Sequence, residues 1–152
     1  RQSVELGVSG IYPLMSCRSV VRIGRADAEK KSAKWFEKYV EAIKQSSNLS
    51  KFEMPLVSDL SDFLSNSGGF GVKLVASLRA NASPIYKVLT SAGVDFAKSA
   101  CVLIGPEGDL SDAEYDAAER AGFIPVKLGD NVMKCDTAAA CALSVLKAFW
   151  QK

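Results

Sequence analysis

Apolar positions recur along this chain with two different periods, and the change from one to the other marks its elements. Across residues 27–45, Trp35, Tyr39 and Ile43 fall four apart with Phe36 and Val40 beside them, the stripe of an amphipathic helix. That stripe places the aromatics in the core. Short apolar runs read instead as strands, at 11–15, 55–57, 72–78, 101–104 and 124–128. The first residues read as a helix end closed by Gly7, and a short helix over 60–64 leads into a Gly68-Gly69 turn.

Two helices in the second half carry their own start signals. Ser111 with Glu114 forms a capping box, so a helix begins there, turns Tyr115, Ala118 and Ala121 inward and stops at Gly122. A final helix runs over 136–150 with Asp136 or Thr137 as its cap and a small face of Ala138, Ala139, Ala140 and Ala142. Strand, loop, helix and strand follow one another from Cys101 to Leu128, which is one parallel βαβ unit. The predicted class is α/β, a mostly parallel sheet flanked by helices.

Two glycine-interrupted turns each follow a strand directly. Gly105-Pro106-Glu107-Gly108 comes after the run at 101–104, and Gly129-Asp130-Asn131 after the run at 124–128. Glycine lets a ligand approach the main chain while Pro106 fixes one dihedral, and loops at strand carboxyl ends are where α/β proteins hold small molecules. A lone GPEG reads as a plain strand-to-helix turn. The pair is what points to a site. Gly69-Phe70-Gly71 precedes a strand and lacks a third glycine, so it is no dinucleotide fingerprint.

Composition narrows the chemistry. The chain has 152 residues, 48% of them apolar, which suits one domain with a substantial core. Net charge is only +2, yet residues 18–38 carry seven basic side chains against three acids. Two readings of that stretch stand: a basic face for RNA, or a solvated helix flank in which Lys34 pairs with Glu37 and Lys38 with Glu41. There is no histidine, which removes the usual general base, every triad built on it and imidazole metal ligation. Cys17, Cys101, Cys135 and Cys141 lack the spacing of a zinc site, so no metal is expected. Without a signal peptide or a membrane-length apolar run, free thiols in a cytoplasmic protein are expected.

One family carries all of these motifs in this order. Residues 104–143, IGPEGDLSDAEYDAAERAGFIPVKLGDNVMKCDTAAACAL, together with Glu5-Leu6-Gly7-Val8, Pro13-Leu14, Arg18-Ser19 and the helix around Trp35, Glu41 and Gln45, resemble the RsmE family. These are the bacterial methyltransferases that modify uracil N3 in 16S ribosomal RNA. The sequence departs from the family pattern at Asp109 (usually glycine), at Asn131 and Lys134 (usually arginine), at Asp136 (usually glutamate) and at Ser77-Leu78 (usually His-Pro). Lysine cannot copy an arginine fork, so these changes bear on substrate contacts more than on cofactor binding.

The resemblance implies a SPOUT-type domain over residues 1–152 with a deep carboxyl-terminal trefoil knot, working as a homodimer, and without the amino-terminal PUA-like barrel of full-length relatives. It implies S-adenosyl-L-methionine as cofactor, surrounded by Ser77, Leu78, Ile104, Gly105, Gly108, Leu128, Gly129, Val132 and Met133. Asp136 would orient or deprotonate the base, while Lys134 and Arg18 would steady the uracil anion or grip phosphate, Arg18 reaching across the dimer. The implied partner is 16S rRNA or the small ribosomal subunit. Two alternatives share these residues: methylation of another rRNA or tRNA base, and a non-catalytic module binding RNA or an adenosine ligand.

Overall fold

The structure is a computed structural model, and it describes residues 1–20, 22–46, 51–91, 94 and 99–150. Four strands form the main sheet: β3 (Val72–Ala76), β4 (Ser83–Pro84), β5 (Ala100–Leu103) and β6 (Ile124–Lys127), after two short earlier strands. Their order is β4-β6-β3-β5 and every pairing is parallel, so the expected α/β class is observed. Parallel neighbours require crossovers, and the helices that supply them cover both faces. These are α4 (Ile85–Thr90) and α5 (Asp112–Arg120); α6 (Cys135–Trp150), after the last strand, packs on the α4 side.

The central strand β3 shows how one sequence feeds two cores. Val72 and Leu74 point to one face and Val75 to the other, all three buried, as the two-residue period requires. Leu74 packs with Leu89, Val126, Ala142 and Leu146 from α4, β6 and α6. Val75 packs with Leu64, Leu103, Tyr115 and Phe123 on the α5 side. Both layers hold β3 rigidly, with its carboxyl end at the molecular surface.

The first half is built more loosely. Helix α1 (Gln2–Glu5) ends at Gly7, whose φ of 86° is the left-handed value that glycine adopts at little cost. Strand β1 is only Leu14–Met15, shorter than the expected 11–15, because Pro13 has no N–H to continue a ladder. Its partner β2 is Ser58–Asp59, downstream of the expected 55–57, where Pro55 likewise cannot donate. Helix α3 (Leu60–Ser65) and a single 3-10 turn at Ser67–Gly69 then lead to β3.

Helix α2 spans Arg25–Ser46, one turn longer than expected, but its stripe is not core. Ala28 and Ala42 are its buried apolar residues, Trp35, Tyr39 and Ile43 are half-buried, and Phe36 is 53% exposed. The described part of the fold buries this helix mainly through α1, and a one-turn helix cannot cover the stripe of a 22-residue one. The aromatics stack locally instead, Tyr39 on Phe52 with centroids 3.8 Å apart. Glu41 pairs with Arg1 and not with Lys38.

Candidate functional site

Three loops leave the carboxyl ends of β3, β6 and β5 side by side. After β3, Ser77 still donates its N–H to Val126 O (2.9 Å), and its hydroxyl accepts from Arg79 N (3.1 Å), which turns the chain away. The strand therefore ends at Ala76, two residues before the expected Leu78. Arg79 is tied to α5 by Asp116 (3.0 Å) and Glu119 (3.3 Å), and its guanidinium lies 5.5 Å from the Tyr115 ring centroid.

The loop after β5 is fixed by its own hydrogen bonds. Asp109 N donates to Pro106 O at 2.9 Å, and Asp109 stands at φ 61°, in the left-handed region where aspartate is among the few tolerated side chains. Its carboxylate stabilises that turn by accepting from Leu110 N (2.8 Å) and from the Tyr115 hydroxyl (2.6 Å). Gly105 is tightly enclosed: a Cβ there would sit 3.3 Å from Asp109 Oδ1, from Leu110 Cγ and from the Leu110 backbone nitrogen, so those neighbours would have to give by a few tenths of an ångström. The predicted capping box at Ser111 and Glu114 then starts α5. Burial pushes the Glu114 carboxyl up, but hydrogen bonds from Ser111 and Cys17 outweigh it and hold the group below the usual range.

The loop after β6 meets the loop after β5. Cys135 donates its thiol to Gly105 O (3.1 Å), and Ala138 N closes the first turn of α6 onto Lys134 O (2.8 Å). That helix starts at Cys135, so Asp136 lies in its first turn rather than capping it; its Oδ1 accepts from Thr137 N at 2.8 Å. Burial first, then the nearby Glu107 charge, push the Cys135 thiol up, so it stays protonated and unreactive.

Between the three loops lies a cavity of about 320 Å³. Of the nine expected cofactor residues, Ser77, Leu78, Ile104, Gly105, Leu128, Gly129, Val132 and Met133 line it. Gly108 does not. It sits on the outer side of its loop, where the space a side chain would take is bounded by Arg18 at 3.5 Å. Arg18 donates to Gly108 O (3.2 Å) and Leu110 O (3.4 Å) and so stands outside the cavity, while Lys134 lines it and Asp136 is exposed next to its Cys135 wall.

Sequence reasoning missed part of this wall. Tyr115, expected only as core, and Asp109, noted only as a departure from glycine, both line the cavity, as does Glu107. The signal for Asp109 was available, since an aspartate in a glycine-rich tight turn marks a left-handed position. A larger cavity of about 510 Å³ runs along the outer edge of β5, bounded by Gly10, Ile11, Phe63 and Leu143 among others, and shares the Ile104 wall with the first. Among the described residues, no cluster of metal-ligating side chains and no helix long and apolar enough to cross a membrane occurs.

A parallel α/β sheet with a cavity across the carboxyl ends of its central strands defines a small-ligand-binding domain of the α/β class. Residues 1–147 match the model of the RNA methyltransferase domain, and the chain belongs to that family. It is 30% identical over 146 residues to the ribosomal RNA small subunit methyltransferase E of Mesomycoplasma hyopneumoniae (95% of this chain, 60% of that protein). It is 28% identical to the Bacillus subtilis protein of the same name (96% and 58%). The chain thus spans about 60% of the length of these relatives. In structure it is similar to the Neisseria gonorrhoeae methyltransferase E bound to S-adenosyl methionine, with a TM-score of 0.84 and 27% identity over 98% of this chain and 58% of that one. A Legionella pneumophila protein solved with bound SAM scores 0.83 at 30% identity, over 97% and 58%.

Proposed function

We propose that this chain is the catalytic domain of an S-adenosylmethionine-dependent methyltransferase acting on N3 of a uridine in small-subunit ribosomal RNA. The observation that carries the reading is the convergence of three strand-end loops on one cavity. The cavity fits the cofactor by its chemistry: its volume lies within the usual ligand range of about 300–1,000 Å³. Leu78 and Val132 at its walls leave 57% and 78% of their surface open, apolar area that a bound adenosine group would cover. Ser77, Leu78, Ile104, Gly105, Leu128, Gly129, Val132 and Met133 would hold the cofactor, with Gly108 supporting the loop from outside. When bound, S-adenosylmethionine supplies a methyl group already made electrophilic by its sulfonium.

The chain's own residues then have two tasks, alignment and removal of a proton. The Asp136 carboxylate, exposed beside the cavity wall, takes or orients the proton at uridine N3. Lys134 Nζ, on the wall itself, steadies the negative charge that the base acquires. Arg18 is anchored on the loop carbonyls of Gly108 and Leu110, and we assign its guanidinium to RNA phosphate or to the site of a second protomer. The same reading includes a homodimer in the cytoplasm and a carboxyl-terminal trefoil knot. The knot rests on the family resemblance; in this chain the segment after β6 meets the Gly105 loop through the Cys135 thiol at the start of α6.

Mass spectrometry of ribosomal RNA from a deletion strain tests the assignment. Loss of N3-methyluridine, restored by the wild-type gene and not by Asp136→Ala, is expected. Unchanged N3-methyluridine in the deletion strain overturns the target, and loss of a different methylated base moves the activity to that base.

A further inference from the structure

Of the groups lining the cavity, Tyr115 is the one rooted in α5, and its hydroxyl reaches both the β5 loop and the end of β3. Its ring is buried to 1% exposure, its hydroxyl donates to Asp109 Oδ1 (2.6 Å) and lies 3.3 Å from Ala76 O, and Arg79 covers its face. Ala76 is the last residue of β3, and Asp109 closes the loop after β5. One hydroxyl therefore spans two of the three walls. Burial first, then the bond to Asp109, push the phenol further up, so it remains a donor at every physiological pH.

Resting on the cofactor reading above, we propose that the Tyr115 hydroxyl, bonded to Asp109 and set against Ala76 O, is a positioning brace that sets the spacing between the β5 loop and the end of β3 and thereby the affinity for S-adenosylmethionine. The bond joins a neutral donor to a carboxylate, the stronger kind. It is partly screened from water and ties the β5 loop to α5 six residues on, where the same hydroxyl also meets the end of β3. Asp109 holds the left-handed turn at φ 61° while its oxygen occupies the space beside Gly105. Removing the carboxylate would open that space and free the loop. Neither residue needs to touch the transferred methyl group; both act through the loops they join.

The test is a double-mutant cycle on the 152-residue chain with S-adenosylmethionine, using Tyr115→Phe, Asp109→Gly and the double variant. Glycine suits φ 61°, so Asp109→Gly removes the acceptor without straining the backbone. Each single variant should bind the cofactor roughly tenfold more weakly, the usual scale for a hydrogen bond to a charged group, and the double variant no more weakly than either. Asp109→Asn, which keeps an acceptor oxygen and tolerates the same backbone, should restore most of the affinity. In methyl transfer to small ribosomal subunits, KM for the cofactor should rise while kcat holds.

Hydrogen exchange in the absence of any ligand separates the brace from the cofactor reading. Amides of Gly105 to Leu110 should exchange faster in Tyr115→Phe than in wild type. If the wild type does not bind the cofactor, the function above fails and exchange alone judges the brace. Additive losses in the cycle, or loop exchange unchanged by Tyr115→Phe, overturn the brace itself.

Discussion

The sheet with its three loops and the long helix α2 make opposite uses of their apolar residues. Leu74, Val75, Tyr115, Phe123 and Val126 on or against the sheet are buried to 2% exposure or less, whereas Phe36 on α2 stands 53% exposed. The difference is topological. A central parallel strand receives helices on two faces, while α2 is backed chiefly by one short helix. An apolar stripe states which face of a helix wants cover, and only the rest of the fold supplies it.

Core truncation should separate the two regions most widely. Phe123→Ala is expected to cost about 3–5 kcal/mol, and Phe36→Ala less than about 1 kcal/mol, in urea unfolding. A loss at Phe36 equal to that at Phe123 would erase the contrast. Within the cavity the two glycine loops should differ next. A Cβ at Gly105 meets the fixed Leu110 backbone at 3.3 Å, but at Gly129 it meets only the flexible end of Met133 at 3.1 Å. Gly105→Ala should cost about 1–3 kcal/mol by overpacking, with weakened cofactor binding, and Gly129→Ala clearly less. Equal effects would mean that the β5 loop is not the rigid wall.

Legibility in the sequence follows the same division. The α5 cap, the Gly122 stop at φ 87°, the strand read as 124–128 and observed as Ile124–Lys127, and both glycine turns were all readable because each depends on neighbours within a few residues. Eight of nine expected cofactor residues line one cavity, since loops on adjacent parallel strands must emerge together. Gly108 and Arg18 fell outside it because facing inward or outward on a loop depends on backbone angles that no periodicity encodes. The strands at 11–15 and 55–57 were cut short or displaced by prolines whose effect depends on the partner strand. The role of Tyr115 was invisible for another reason: a buried aromatic and a wall tyrosine share one helical position.

The α5 cap offers a smaller, pH-dependent sharpening. Ser111→Ala should cost about 1 kcal/mol. Because the folded Glu114 carboxyl titrates below its ordinary value of 4.5, its stabilisation is complete above that pH and is lost as pH falls through the folded value. The melting temperature of Glu114→Gln should lie below wild type at pH 7, and the gap should close below about pH 4.5. A gap that persists in acid would assign the effect to shape rather than charge.

The smallest stability effect is expected on α2. Changing the exposed Lys30 and Lys34 together to glutamine should leave unfolding within about 0.5 kcal/mol of wild type. If ribosomal RNA crosses this face, the same change should lower the salt dependence of RNA binding by about two in log–log slope. An unchanged slope would return the helix to a solvated flank, and the contrast between regions would then be one of packing alone.

The most direct measurement is a titration of the isotope-labelled chain with S-adenosylmethionine followed by amide NMR. Resonances of Ser77, Gly105, Gly129 and Met133 should shift together along one saturation curve, with Lys30 and Lys34 unmoved. Shifts confined to one loop, separate curves for different loops, or no saturable change would contradict a single site assembled from all three.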